Sequence, residues 1–120
     1  MKPEDRDAAH LWDMLDTARE TIALMEGFTL AKLLADGRTR RALERTLEVL
    51  GEVASRVSAR TRNRHPDIPW SQIVGQRNVI AHGYAVLDYS RLFETVTRDL
   101  PGLVERLEAI LERLPRKPER

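Results

Sequence analysis

The chain contains no cysteine, which excludes disulfides and thiolate metal sites and fits a reducing cytoplasm. It also lacks any run of about 18 apolar residues, the length that crosses a bilayer as a helix. The opening MKPEDRDAAH is too polar and acidic for a signal peptide, so a cytoplasmic protein with no membrane association is expected. Alternating strand patterns, internal repeats and low-complexity tracts are missing too. Histidines are few and scattered. His10 and His65 have no partners at ligand spacing, so no metal site is expected.

Net charge is nearly absent as well, with 20 Lys and Arg against 19 Asp and Glu. At 42% apolar and 32% charged, the 120 residues read as one ordinary globular domain rather than a disordered segment. The cancellation hides an asymmetry: residues 1–26 carry seven acidic and three basic side chains, whereas Arg38 to Arg64 carries eight arginines against Glu44, Glu48 and Glu52. A domain this small can bury a core but has little room for a wide cleft. A site in it should be shallow or shared between subunits.

What the chain does have is helical periodicity. Ala8, Leu11, Leu15, Ala18, Ile22 and Met25 recur at steps of three and four, and Gly27 can close that helix. FTLAKLLADG reads as a short second helix ended by Asp36-Gly37. Thr39 is a plausible N-cap for a third helix, whose stripe is Leu43, Leu47, Leu50, Ala54 and Val57. TRNRHPDIPW, with two prolines, reads as a loop pinned by Ile68 and Trp70. A shorter helix is expected over 70–81, with Gly83 as its stop. Asp88 or Ser90 can cap the last helix, striped by Leu92, Phe93, Val96, Leu100, Leu103, Leu107, Ile110 and Leu114; Pro101 inside it predicts a kink. The expected architecture is all-α, a small antiparallel bundle of four to five helices with a kinked last helix. One domain should span 1–115, with 116–120 a disordered tail.

The polar stretch RNVIAHGY, Arg77 to Tyr84, lies at the end of the 70–81 helix. At 100° per residue, Arg77 and His82 point about 140° apart, whereas Asn78 and His82, four apart, share a face, so Asn78 can orient the imidazole. One copy makes an incomplete pocket. Two copies about a two-fold axis would bring two arginines and two histidines into one cleft. Such a set suits metal-independent phosphodiester cleavage. Histidine titrates near neutrality and can move the proton of a ribose 2′-hydroxyl, and arginine holds the phosphate with paired hydrogen bonds. The need for a 2′-hydroxyl predicts RNA rather than DNA. Arg56, Arg60, Arg62 and Arg64 could neutralise neighbouring phosphates. By spacing alone, each of these residues also has an ordinary reading. Arg77 could be an ion-pair or helix-end residue, His82 a cation on the helix dipole, Tyr84 packing, and the arginine run a solvated face.

RNVIAHGY resembles the HEPN superfamily, and its R-x4-H-x-Y form, met by Arg77, His82 and Tyr84, resembles the HepT branch. RALERTLEVLGEVASRV, HPDIPWSQIVGQRN and VTRDLPGL resemble other stretches of that branch in the same order, so the likeness spans nearly the whole chain. It implies a HEPN-like homodimer with endoribonuclease activity on RNA, tRNA among the candidates, as the toxin of a two-gene toxin–antitoxin module. It further implies an MntA-like nucleotidyltransferase partner that transfers AMP from ATP to Tyr84. Carried over, Arg77 and His82 are catalytic, Asn78 is the polar neighbour and Tyr84 the acceptor; no cofactor is implied. The chain departs from the pattern at Val53, where alanine is usual, and at Gly83, where glutamate is common. A second reading is a non-catalytic HEPN-like subunit that helps a nucleotidyltransferase hold nucleotide or substrate and does not need His82.

Overall fold

In the computed structural model, which describes residues 6–82 and 87–114, those residues form helices and no strand. Gly83, Tyr84 and the 116–120 tail lie outside the described residues. The first apolar stripe becomes α1 (Asp7–Leu24), burying Leu11, Met14, Leu15 and Ala18. Gly27 follows it at φ +78°, a left-handed conformation that glycine adopts without a Cβ penalty, and the chain turns there. The short α2 (Leu30–Ala35) is capped by the Thr29 hydroxyl, which accepts from the Lys32 N–H.

α3 (Gly37–Arg56) is capped by Asp36, not by Thr39 as the sequence suggests. The Asp36 carboxylate accepts from the Thr39 N–H at 3.1 Å and from its hydroxyl at 2.8 Å. These bonds, together with the nearby charge of Arg38, hold the Asp36 carboxyl below its ordinary pKa against a small opposing effect of burial. Thr39 thus sits three residues inside the helix, because the ionised side chain just before Gly37 satisfies the free amide and is favoured at the positive end of the helix. Leu43, Leu47, Leu50, Ala54 and Val57 are all buried, as their spacing predicts. Each such leucine contributes roughly 1.5–3 kcal/mol relative to exposure.

The expected loop after α3 contains a helix, α4 (Ala59–Arg64), before the prolines. Its stability comes from a distant residue. Asp7, the first residue of α1 and buried, accepts from the Ser58 N–H at 2.9 Å and from the hydroxyls of Ser58 and Thr61. Burial by itself would raise the Asp7 pKa, but hydrogen bonds from Ser58 and Thr61, with His10 nearby, outweigh it and hold the carboxyl below its ordinary value. One carboxylate therefore ties the start of α1 to the α3–α4 corner.

α5 (Trp70–His82) packs mainly on α3. Asp88, as expected, caps α6 (Tyr89–Glu94), which runs through a π-helical turn (Thr95–Asp99) into α7 (Leu100–Leu111). Pro101 is accommodated within one continuous helical rod. A proline has no N–H for the carbonyl four residues back and its ring crowds that carbonyl; the wider turn just ahead of it, closed by Leu100 N–H to the Thr95 carbonyl, relieves both problems. The wide turn also keeps Leu92, Val96 and Leu100, four residues apart in succession, on the core side. Four long helical rods, with α2 and α4 as short corners, enclose one core. No helix among the described residues is long and apolar enough to cross a membrane.

Candidate active site

α5 stays helical from Trp70 through His82, so the 140° between Arg77 and His82 holds. Arg77 is half-buried against α3, while Asn78 and His82 are exposed. The approach of α5 to α3 is possible because of Gly51. A Cβ there would lie 2.2 Å from the Arg77 Cβ, 2.9 Å from its Cγ and 3.0 Å from the Ile73 carbonyl oxygen. The aliphatic stem of Arg77 therefore lies across a bare patch of α3 backbone.

From that patch the guanidinium turns back along α5. Its Nη1 donates to the Asn78 side-chain oxygen at 2.9 Å, and its Nε is buried with no hydrogen-bond partner among the described residues. Asn78 thus accepts from Arg77, a charged donor one residue away. Asn78 and His82 lie one turn apart on the same face, so this bond turns the guanidinium toward the Asn78 side of α5.

Arg56, Arg60, Arg62 and Arg64 do not share one face. Arg62 lines an open cavity of about 910 Å³ between α4 and α5, on which Asn78 also borders; Arg56, Arg60 and Arg64 are exposed and do not line it. A helical turn of 100° sends Arg60 and Arg64 to the far side of α4, since Thr61 must face Asp7. No group of His, Asp or Glu among the described residues could hold a metal ion. Tyr84 lies in the undescribed segment, two residues beyond His82.

Gly51 has no side chain to mark it in the sequence as part of a site. The available signal was a glycine in the middle of an otherwise strong helix, where it costs about 1 kcal/mol relative to alanine.

The family model for HepT-like ribonucleases matches residues 14–110, a span that includes α3, Gly51, Arg77, Asn78 and His82. The chain belongs to the HepT-like ribonuclease family. Its relatives include a protein of Thermococcus cleftensis named "Probable ribonuclease HepT", 32% identical over 82% of this chain and 93% of its own length. A candidate RNase of Methanocaldococcus jannaschii is 29% identical over 85% of this chain and 94% of its own. Another, from Caldanaerobacter subterraneus, is 27% identical over 87% and 93%. No solved structure matches. This HepT-like chain has the helical fold that the resemblance implied, and its Arg77 is held by Asn78 and makes no ion pair among the described residues.

Proposed function

We propose that this HepT-like ribonuclease is a metal-independent endoribonuclease toxin, acting through Arg77 and His82 at a composite site between two copies of the chain. The observation that carries the reading is the Arg77–Asn78 bond, which presents a half-buried guanidinium on the face from which His82 projects. In the reaction, His82 takes the proton of a ribose 2′-hydroxyl as that oxygen bonds to phosphorus. The bond from phosphorus to the 5′-oxygen breaks, and an imidazolium, from the same or the partner subunit, protonates the leaving oxygen. The products are a 2′,3′-cyclic phosphate and a 5′-hydroxyl end. Arg77 binds the equatorial phosphate oxygens as charge builds on them.

Two copies are favoured by the open face of α5. Val79, between Arg77 and His82, is 62% exposed, an apolar side chain beside a polar motif. Tyr84 is the regulatory acceptor. An MntA-like nucleotidyltransferase would transfer AMP from ATP to its hydroxyl, releasing pyrophosphate, and the added phosphate would pair with Arg77 and repel RNA.

The test is cleavage of total RNA in EDTA by wild type, Arg77→Ala and His82→Ala, with the new ends identified. Wild type alone should cut, leaving cyclic phosphates, and should spare a 2′-deoxy substrate. Equal cutting by all three proteins would refute the mechanism. Co-expression with a cognate nucleotidyltransferase should add one AMP to Tyr84 by mass spectrometry and remove cutting, and Tyr84→Phe should escape that silencing.

A further inference from the structure

The cavity between α4 and α5 is larger than a shallow catalytic dyad requires, and its position relates it to the motif. At about 910 Å³ it falls in the range of small-ligand clefts. One wall is the α5 face that carries Ser71, Gly75 and Asn78, at steps of four and three, and His82 follows at the next step of four. The cavity therefore runs along the same edge of α5 and ends beside the residue that holds Arg77.

Its chemistry is selective. Among the described residues Arg62 is the only charged one lining it, and the Arg62 Nε is buried there without a hydrogen-bond partner. No carboxylate among the described residues borders the space, so a cationic ligand would find none of them to neutralise it. Asn63, Gln72 and Asn78 offer amide groups around the rim, while Ile68 and Val74 supply apolar surface. Amide edges, an apolar floor and one unpaired guanidinium match a nucleotide: base edge, base face and phosphate. The second cavity, by contrast, is lined by Asp67, Glu105, Arg106 and Arg113, whose charges offset one another.

We infer that the α4–α5 groove is a nucleotide subsite, holding the residue of the RNA strand next to the cleaved bond, with its phosphate on Arg62. The inference rests on the ribonuclease reading above and extends it to substrate positioning. It also gives Arg62 a role that Arg56, Arg60 and Arg64 do not share.

Gly75 permits a direct test, because a Cβ built there meets no atom within 4 Å. Gly75→Phe fills the groove without disturbing the core, Arg62→Ala removes the groove's charge, and Lys32→Ala removes an exposed charge on α2, away from the groove. Two assays are run on each variant: steady-state cleavage of a short labelled RNA, and fluorescence anisotropy of a labelled, uncleavable 2′-O-methyl oligonucleotide in a His82→Ala background. Gly75→Phe and Arg62→Ala should each raise KM and Kd about tenfold or more, the loss of a charged hydrogen bond, with kcat near wild type. Lys32→Ala should match wild type.

Unchanged KM and Kd in both Gly75→Phe and Arg62→Ala would overturn the subsite. A change in oligomeric state for Gly75→Phe, measured by light scattering, would overturn it in favour of a face that binds a second copy. If wild type does not cut RNA but the 2′-O-methyl oligonucleotide binds and Gly75→Phe abolishes binding, the subsite stands and the cleavage mechanism falls.

Discussion

Replacing Gly51 with alanine separates the placement of Arg77 from the stability of the bundle. The new Cβ would sit 2.2 Å from the Arg77 Cβ and 3.0 Å from the Ile73 carbonyl oxygen. Carbon atoms rest in contact at about 3.5–4.0 Å, so α5 must retreat by about 1.5 Å. Rotating a side chain cannot relieve this, since both obstructing atoms are fixed to or part of the α5 backbone. The stability terms oppose each other. Removing a helical glycine gains about 1 kcal/mol, and overpacking costs about 1–3 kcal/mol. The net change should be no more than about 2 kcal/mol. For placement there is no such offset, because a misplacement of about 1 Å costs on the order of a hundredfold in rate. The expected result is a cooperative thermal melt by circular dichroism, lowered by only several degrees, with RNA cleavage reduced about a hundredfold. Wild-type cleavage by a folded Gly51→Ala protein would refute the claim that this contact positions a catalytic arginine.

Arg77→Lys should leave the melt nearly unchanged yet lose cleavage on the order of a hundredfold, because a point charge cannot replace the paired donors that also reach Asn78; full activity would show that charge alone suffices. Asp7→Ala strands the Ser58 amide and the Ser58 and Thr61 hydroxyls and should cost about 1–3 kcal/mol in urea unfolding. Because the folded Asp7 pKa lies below its ordinary 3.8, its contribution is present above that value and lost as pH falls through the folded pKa; Asp7→Ala should flatten this acid limb. Tyr89→Phe removes a 2.7 Å hydrogen bond to Glu44 and should cost about 1 kcal/mol by the same measurement. That bond chiefly, with burial and the Glu44 charge, raises the Tyr89 pKa above 10.0, so the contribution persists below that pH and fades as pH rises through the raised value.

Most of the helical framework was legible because a helix that buries one face must repeat its apolar residues every three or four positions. The stripes of α1 and α3 and the extent of α5 follow from that rule directly. One reading failed where a local pattern has a distant partner. α4 has almost no apolar content and reads as loop, yet Ser58 caps it and the buried Asp7 carboxylate, more than fifty residues earlier, holds both Ser58 and Thr61. Asn78 has the spacing to serve His82, and it accepts from the guanidinium beside it. The arginine run showed charge without direction; which of its members faces a groove depends on how α4 is turned, and Thr61 sets that turn by facing Asp7.

By itself, then, the sequence determined the helical class, the core stripes and the stretches by which it resembles the family, all of which depend on residue type and spacing along the chain. Only the tertiary structure decided that a bare stretch of α3 at Gly51 admits the Arg77 stem, that Asn78 holds the guanidinium, and that Arg62, but not Arg56, Arg60 or Arg64, lines the groove. Those facts depend on how closely two helices approach and how each is rotated about its axis. Packing against partners far away in the chain sets both, and no local pattern records them.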